Sequence, residues 1–418
     1  MIYSMGFGKT RIEFNVNEGN ILGELRPNEV EVHSTGEMEI KRALDNPINS
    51  PKLSGIVKPG EKIVIVTSDI TRPMPSRIVL PYVIDEILKA GCSKEDITIV
   101  FALGAHRSHT DEEKRYIVGE EIFNTIKCMD SNQDDYIHLG NTKNGTPIDI
   151  FTPVATADKR ICLGNIEYHY FAGYSGGVKA IMPGVSTRHA IQANHSIMID
   201  DGAVAGNIDT NPVRLDLESI GEVISIDFIV NVVLDENKKI VKAVAGHFID
   251  AHREGCRFLD ELYKIPIKEK ADIVIVSQGG YPKDLNLYQA QKALDNAKHA
   301  VKDGGIIILV ASCKEGLGEA VFESWMTGAK TSKELIKKIG ENFVLGGHKA
   351  AAIALTLEKA KIFLVSELEA EFIKTIFMKP FNNIQDALEQ ALIEKGLNAK
   401  IILMPIGGST LPVYDKEL

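Results

Sequence analysis

A repeated rhythm constrains this chain more than any other feature. Short apolar runs rich in β-branched residues alternate with amphipathic stretches of helical length, and the alternation occurs twice. Such runs read as strands, and strands separated by helix-length segments read as βαβ units, which build mostly parallel, doubly wound sheets. The first unit passes from a strand over Ile63 to Thr67 (IVIVT), through a Pro-punctuated loop and a helix over Ser76 to Ala90, to a strand over Ile97 to Ala102 (ITIVFA). Pro75 before the helix and Gly91 after it are start and stop signals. A strand over Ile161 to Leu163 leads into a glycine-rich segment. Further on, VISIDFIVNVVL and IVKAVAG flank the polar turn Asp235 to Lys239 as an antiparallel hairpin, which makes this sheet mixed.

The rhythm restarts at Ala271, with strands over Ile273 to Val276, Ile306 to Val310, Ile362 to Val365 and Ile401 to Met404. With 418 residues the chain exceeds the roughly 250–300 at which single cores stop growing, so two domains are expected. The predicted class is α/β, with mostly parallel doubly wound sheets in both domains. The predicted division is residues 1–266 and a smaller 267–405, joined near the charged stretch Lys264 to Lys270 (KIPIKEK). The tail 406–418 is compatible with packing on the first domain or completing the second.

Lys and Arg total 47 against 57 Asp and Glu, for a net charge of −10, which disfavours a nucleic-acid partner. Five scattered cysteines, with no C-x-x-C pair, read as reduced structural thiols. The N-terminal MIYSMGFGKTRIEF has no signal-peptide apolar core, and no run reaches membrane-span length, so the expectation is a cytoplasmic protein without a membrane partner.

In open α/β sheets ligands bind beyond the carboxyl ends of the strands. The loops there carry Asp69 and Arg72 (TSDITRP), then His106 and His109 (LGAHRSHT), then His169, Lys179, His189 and His195 within GNIEYHYFAGYSGGVKAIMPGVSTRHAIQANHS. Each has a plainer reading: a hydrogen-bonded structural histidine, a turn-capping Asp69–Arg72 pair, a tight GYSGG turn. GYSGG departs from both the Walker and the G-x-G-x-x-G patterns, although its glycines suit close approach to a phosphate. The histidines lack H-E-x-x-H spacing, so a zinc hydrolase finds little support. In the second domain Tyr288, Gln289 and Lys292 follow SQGGYPKDLN; on a helix Tyr288 and Lys292 share a face, suited to a carboxylate or simply solvated.

Taken together, Asp69-Ile70-Thr71-Arg72-Pro73, Gly104-Ala105-His106-Arg107, HYFAGYSGGVKAIMPG with ANHS, and Tyr288-Gln289 with Lys292 resemble the nickel-dependent lactate racemase family, across both domains. The resemblance implies an active site in the interdomain cleft and a covalently held nickel-pincer nucleotide, a pyridinium mononucleotide whose carbon and two sulfurs grip Ni(II). It implies that Lys179 forms the thioamide link and that His195 is the remaining nickel ligand. It makes His106 and His169 the acid/base pair, while Asp69, Arg72, Gly176 and Gly177 help hold the nucleotide, and Tyr288, Gln289 and Lys292 bind the substrate carboxylate. Enzymes that make the cofactor are implied partners, and the substrate is a small 2-hydroxy acid. A soft donor set with one imidazole in a square plane suits Ni(II).

Inverting a carbinol carbon through a planar ketone requires a base on each face, and imidazole can serve either way near neutral pH. Direct removal of the C2 proton would face a pKa gap above about 17 units, at ~1.36 kcal/mol each, which exhausts the ~23 kcal/mol that strong enzymes supply. Hydride transfer avoids that carbanion. Lactate leads as substrate; malate, aromatic hydroxy acids and sugar acids are alternatives. A catalytically silent nucleotide- or metal-binding protein on the same scaffold is the reading from another class.

Overall fold

The computed structural model describes residues 1–415. The chain forms two compact units, Val30–Glu261 and a second made of Met1–Glu29 with Leu262–Leu418.

The unit Val30–Glu261 is built on a six-stranded sheet in the order Ile240–Gly246, Phe228–Leu234, Lys159–Asn165, Ile63–Ser68, Ile97–Ala102, Lys127–Asp130. All neighbours pair in parallel except the first two, the predicted hairpin, which is antiparallel with a bulge at Val233/Leu234. The apolar run Ile63 to Thr67 is buried on both faces, as a parallel strand covered by helices must be. The predicted helix forms as Ser76–Lys89 and seats Val79, Leu80, Val83 and Ile87 on that sheet.

The second unit has a wholly parallel six-stranded sheet in the order Lys379–Phe381, Ala360–Val365, Val301–Val310, Ala271–Ser277, Ile401–Met404, Ile21–Glu24. Two expectations change here. The first 29 residues, predicted to belong with 1–266, join this unit: Ile21–Glu24 pairs with Ile401–Met404, and Met5, Phe14 and Val16 enter a core with Ile273, Ile308 and Leu403. The expected linker is a strand, Lys264–Ile267, paired in parallel with Leu411–Tyr414. That pairing places the described part of the tail on this unit, whereas residues 416–418 lie outside the described residues. Among the described residues no helix is long and apolar enough to cross a membrane.

Candidate active site

Two loops at the carboxyl ends of adjacent strands in the unit Val30–Glu261 are closed on one another. Asp69, just past Ile63–Ser68, places Oδ2 at 3.1 Å from His106 Nδ1, while its Oδ1 accepts the Thr71 amide at 2.7 Å. Burial of Asp69 opposes ionisation, but His106, Thr71 and the charge of Arg72 outweigh it and hold the carboxyl at about 2. Asp69 is therefore an anion at neutral pH, and the His106 nitrogen facing it carries a proton. The His106 side chain is 37% exposed beside a carboxylate that is 5% exposed, so a fixed buried charge steers a reachable imidazole.

The glycine-rich segment gathers around one ring. Phe171 has His169 edge-on at 4.5 Å, His195 edge-on at 4.8 Å and Lys179 Nζ at 5.8 Å from its centroid. Lys179 sits on the short turn Gly177–Ala180. The residue is half-buried, yet its Nζ is sealed from solvent without a hydrogen-bond partner. Burial first, then the charges of Arg214 and Arg72, push its pKa well below the ordinary lysine value, which favours the neutral amine. Arg72, on the Asp69 loop, acts on Lys179 through its charge alone. The His106 loop is tied to the same segment by the Gly104 amide, which donates to the Gly184 carbonyl at 2.9 Å.

His195 is buried on the helix Arg188–Ser196, its Nδ1 at 3.1 Å from Asn194 Oδ1, and Thr187 caps that helix by accepting the Ala190 amide. His169 Nδ1 accepts the Ala172 amide at 3.3 Å. His189, in the first turn of the same helix as His195, is exposed. Among the described residues no group of three or more His, Cys, Asp or Glu that could hold a metal ion is present.

Three residues that sequence reasoning missed shape this segment. Arg214, fully buried on the helix Pro212–Ser219, donates through its guanidinium to the carbonyls of Ala172, Tyr174 and Gly176. Asn231 Oδ1 accepts the Gly177 amide at 2.7 Å, so that amide is not turned toward a ligand. His252 donates from Nε2 to the Ser175 carbonyl at 2.7 Å, and its burial keeps it neutral. Gly176 and Gly177 have φ of +77° and +60°. A Cβ on Gly176 would meet Asn231 Oδ1 at 2.8 Å, and one on Gly177 would meet the His252 ring at 3.0 Å, so both glycines are required by packing. The available signal was slight: the Asn211-Pro212 pair announces a helix start, but nothing distinguishes Arg214 from a surface arginine.

In the second unit the loop after Ala271–Ser277 ends in the helix Leu287–Ala297, whose cap Asn286 accepts the Gln289 amide at 3.0 Å. Tyr288, Gln289 and Lys292 lie in its first two turns, Gln289 exposed and the other two half-buried. Lys349 donates to the Tyr288 carbonyl at 2.6 Å and stands 3.9 Å from the centre of its ring.

A family model described as the lactate racemase N-terminal domain matches residues 7–206, and one described as the lactate racemase C-terminal domain matches residues 267–411. The chain belongs to the lactate racemase family. Lactate racemase of Thermoanaerobacterium thermosaccharolyticum is 36% identical over 417 residues, 97% of each chain. That of Lactiplantibacillus plantarum is 33% identical over 418 residues, 96% of this chain and 97% of its own. The solved structure of the T. thermosaccharolyticum lactate racemase apoprotein matches with a TM-score of 0.92 at 34% identity, over 99% of this chain and 100% of that one. Members of the lactate racemase family are isomerases, and the α/β architecture here is that of the family.

Proposed function

We propose that this chain interconverts D- and L-lactate by two-base chemistry on a covalently tethered nickel-pincer nucleotide. Its membership of the lactate racemase family supports the activity on lactate. The observation that carries the reading of the site is Lys179 Nζ, a sealed amine without a hydrogen-bond partner, its pKa lowered by burial, beside the ring that His169 and His195 also touch.

A buried amine kept neutral is what amide-type attachment needs, since an ammonium has no lone pair to give. The residues present therefore fit the group. Lys179 would carry the covalent link and His195 would ligate the nickel. Asp69, Arg72, Gly176 and Gly177 would back the nucleotide, Gly176 and Gly177 through the tight packing their missing side chains permit. When bound, the group would supply a two-electron acceptor and donor for the hydrogen on C2 of the substrate.

The protein's own part is proton transfer and orientation. His106 carries its proton on Nδ1 toward Asp69, which makes Nε2 the basic nitrogen. His169 accepts the Ala172 amide at Nδ1, which puts its proton on Nε2. The two rings thus rest in opposite neutral tautomers: Nε2 of His106 would take the hydroxyl proton, while Nε2–H of His169 would donate a hydrogen bond to the substrate oxygen, and either ring would return a proton only from its imidazolium form. Asp69, anionic at neutral pH, stabilises the imidazolium formed when His106 takes the proton. Tyr288, Gln289 and Lys292 would hold the carboxylate while the keto acid turns, with Lys292 as the cation and the helix start as a favourable site for negative charge.

The test is a chiral assay of the cofactor-loaded chain with each enantiomer of lactate. Both reactions are expected to reach the same racemic endpoint, and to approach it roughly 10²- to 10⁴-fold more slowly in His106→Ala or His169→Ala. Loaded protein that leaves either lactate enantiomer untouched but inverts malate, an aromatic hydroxy acid or a sugar acid would move the substrate within the class. Loaded protein inert toward all of them would overturn the reading.

A further inference from the structure

His109 has no part in the chemistry above, yet it touches the carboxyl ends of three adjacent parallel strands. It lies in the loop after Ile97–Ala102. Its Nε2 accepts the Ile70 amide at 3.1 Å, in the loop after Ile63–Ser68. Its Nδ1 stands 2.7 Å from Asp130 Oδ1, and its own amide donates to Asp130 Oδ2 at 3.0 Å, at the end of Lys127–Asp130. The side chain is 1% exposed and lies edge-on to Phe101 at 5.3 Å.

These partners fix the tautomer. A backbone amide can only donate, so Nε2 is the acceptor and Nδ1 carries the proton that goes to Asp130. A side chain with an acceptor on one edge and a donor on the other satisfies both loops at once, and imidazole has that geometry. Ile70 lies between Asp69 and Thr71, the two residues that face His106. The loops are therefore joined twice, by Asp69 with His106 and by Ile70 with His109. Removing the second tie leaves the exposed His106 to hold the Asp69 loop alone.

We propose that His109, backed by Asp130, is a positioning residue that holds the Asp69 carboxylate against His106; the proposal rests on the reading of His106 as an acid/base group. An imidazole displaced by a fraction of an ångström still binds its partners but transfers protons poorly, which is how a residue remote from the substrate can govern turnover.

Two substitutions divide the ring's duties. His109→Gln keeps an acceptor near the Nε2 position and so keeps the tie to Ile70. His109→Asn keeps a donor near the Nδ1 position for Asp130 and loses that tie. In cofactor-free protein, a carboxyl-carbon NMR titration is expected to find Asp69 at about 2 in wild type and in His109→Gln. In His109→Asn the same carboxyl is expected to climb toward the ordinary aspartate value of about 3.9. In loaded protein, His109→Asn is expected to lose on the order of 10- to 100-fold in kcat with little change in KM, while His109→Gln retains most of its turnover.

Nitrogen-15 shifts of His109 in the wild-type chain, expected to show the proton on Nδ1, decide the tautomer even where a variant fails to fold. A proton found on Nε2, or a His109→Asn protein whose Asp69 still titrates near 2 with wild-type kcat, overturns the proposal. A raised Asp69 titration in His109→Asn with undiminished turnover would uphold the tie and instead overturn the role given to His106.

Discussion

Both units carry candidate site residues on segments that follow parallel strands, but they hold them in different ways. In Val30–Glu261 the side chains are fixed by bonds between distant parts of the sequence: Asp69 with His106, Arg214 with three carbonyls of the glycine-rich segment, Asn231 with Gly177. In the other unit Tyr288, Gln289 and Lys292 ride on the first two turns of one helix, set by the local cap Asn286, with Lys349 as the distant contact on Tyr288. Proton transfer needs a chosen tautomer at a fixed place, whereas carboxylate binding needs only donors within reach. Under the proposed function, the dense network would serve the first task and the single helix the second.

The sharpest way to break this comparison is Lys179→Ala. It is expected to abolish racemisation, because no other described lysine combines a sealed amine with the lack of a partner, and chiral assay after co-expression with cofactor-making enzymes checks it. Next in size, His106→Ala and His169→Ala are each expected to cost roughly 10²- to 10⁴-fold in kcat, the usual range for a positioned acid or base, with the cofactor still attached by mass. On the other unit, Tyr288→Phe and Gln289→Ala are each expected to cost about 10- to 100-fold in kcat/KM, from loss of a bond to a charged group worth ~1.5–3 kcal/mol. Steady-state kinetics should show no change in cofactor loading. Equal loss of loading in those variants would erase the division of labour.

Much of this was legible in the sequence, and what was not has a common cause. The strands around Ile63, Ile97, Ile273 and Ile401 follow from local apolar runs, and the loops after them follow from where open sheets bind ligands. Pairings between distant segments leave no such local trace. Lys264–Ile267 reads as a charged linker because its partner strand, Leu411–Tyr414, stands at the far end of the chain. Ile21–Glu24 likewise finds its place only beside Ile401–Met404, which carries the first 29 residues out of the domain their position suggested. In the candidate site, the charged and histidine-bearing loops could be picked out as candidates by residue type, whereas Arg214, Asn231 and His252 are buried, and burial of a single polar residue is invisible in one sequence.

Smaller effects sharpen the comparison through stability. Asp69 titrates at about 2 when folded against 3.8 as its ordinary value. A depressed folded pKa stabilises above the unfolded value and loses that contribution as pH falls through the folded one. Asp69 should therefore contribute roughly 2 kcal/mol at neutral pH that disappears between about pH 4 and pH 2. Denaturation of wild type and Asp69→Asn across that window is expected to converge at the acid end. Smallest of all, Gly177→Ala meets the His252 ring at 3.0 Å with φ at +60° and is expected to destabilise by about 1–3 kcal/mol, read as a shifted denaturation midpoint.

The most direct test of the central claim is intact-mass and peptide-mapping spectrometry with metal analysis on chain made in a nickel-supplied host that also makes the cofactor. One adduct on the peptide containing Lys179, with one nickel per chain, is the expected result. An active racemase whose Lys179 is unmodified would contradict the account.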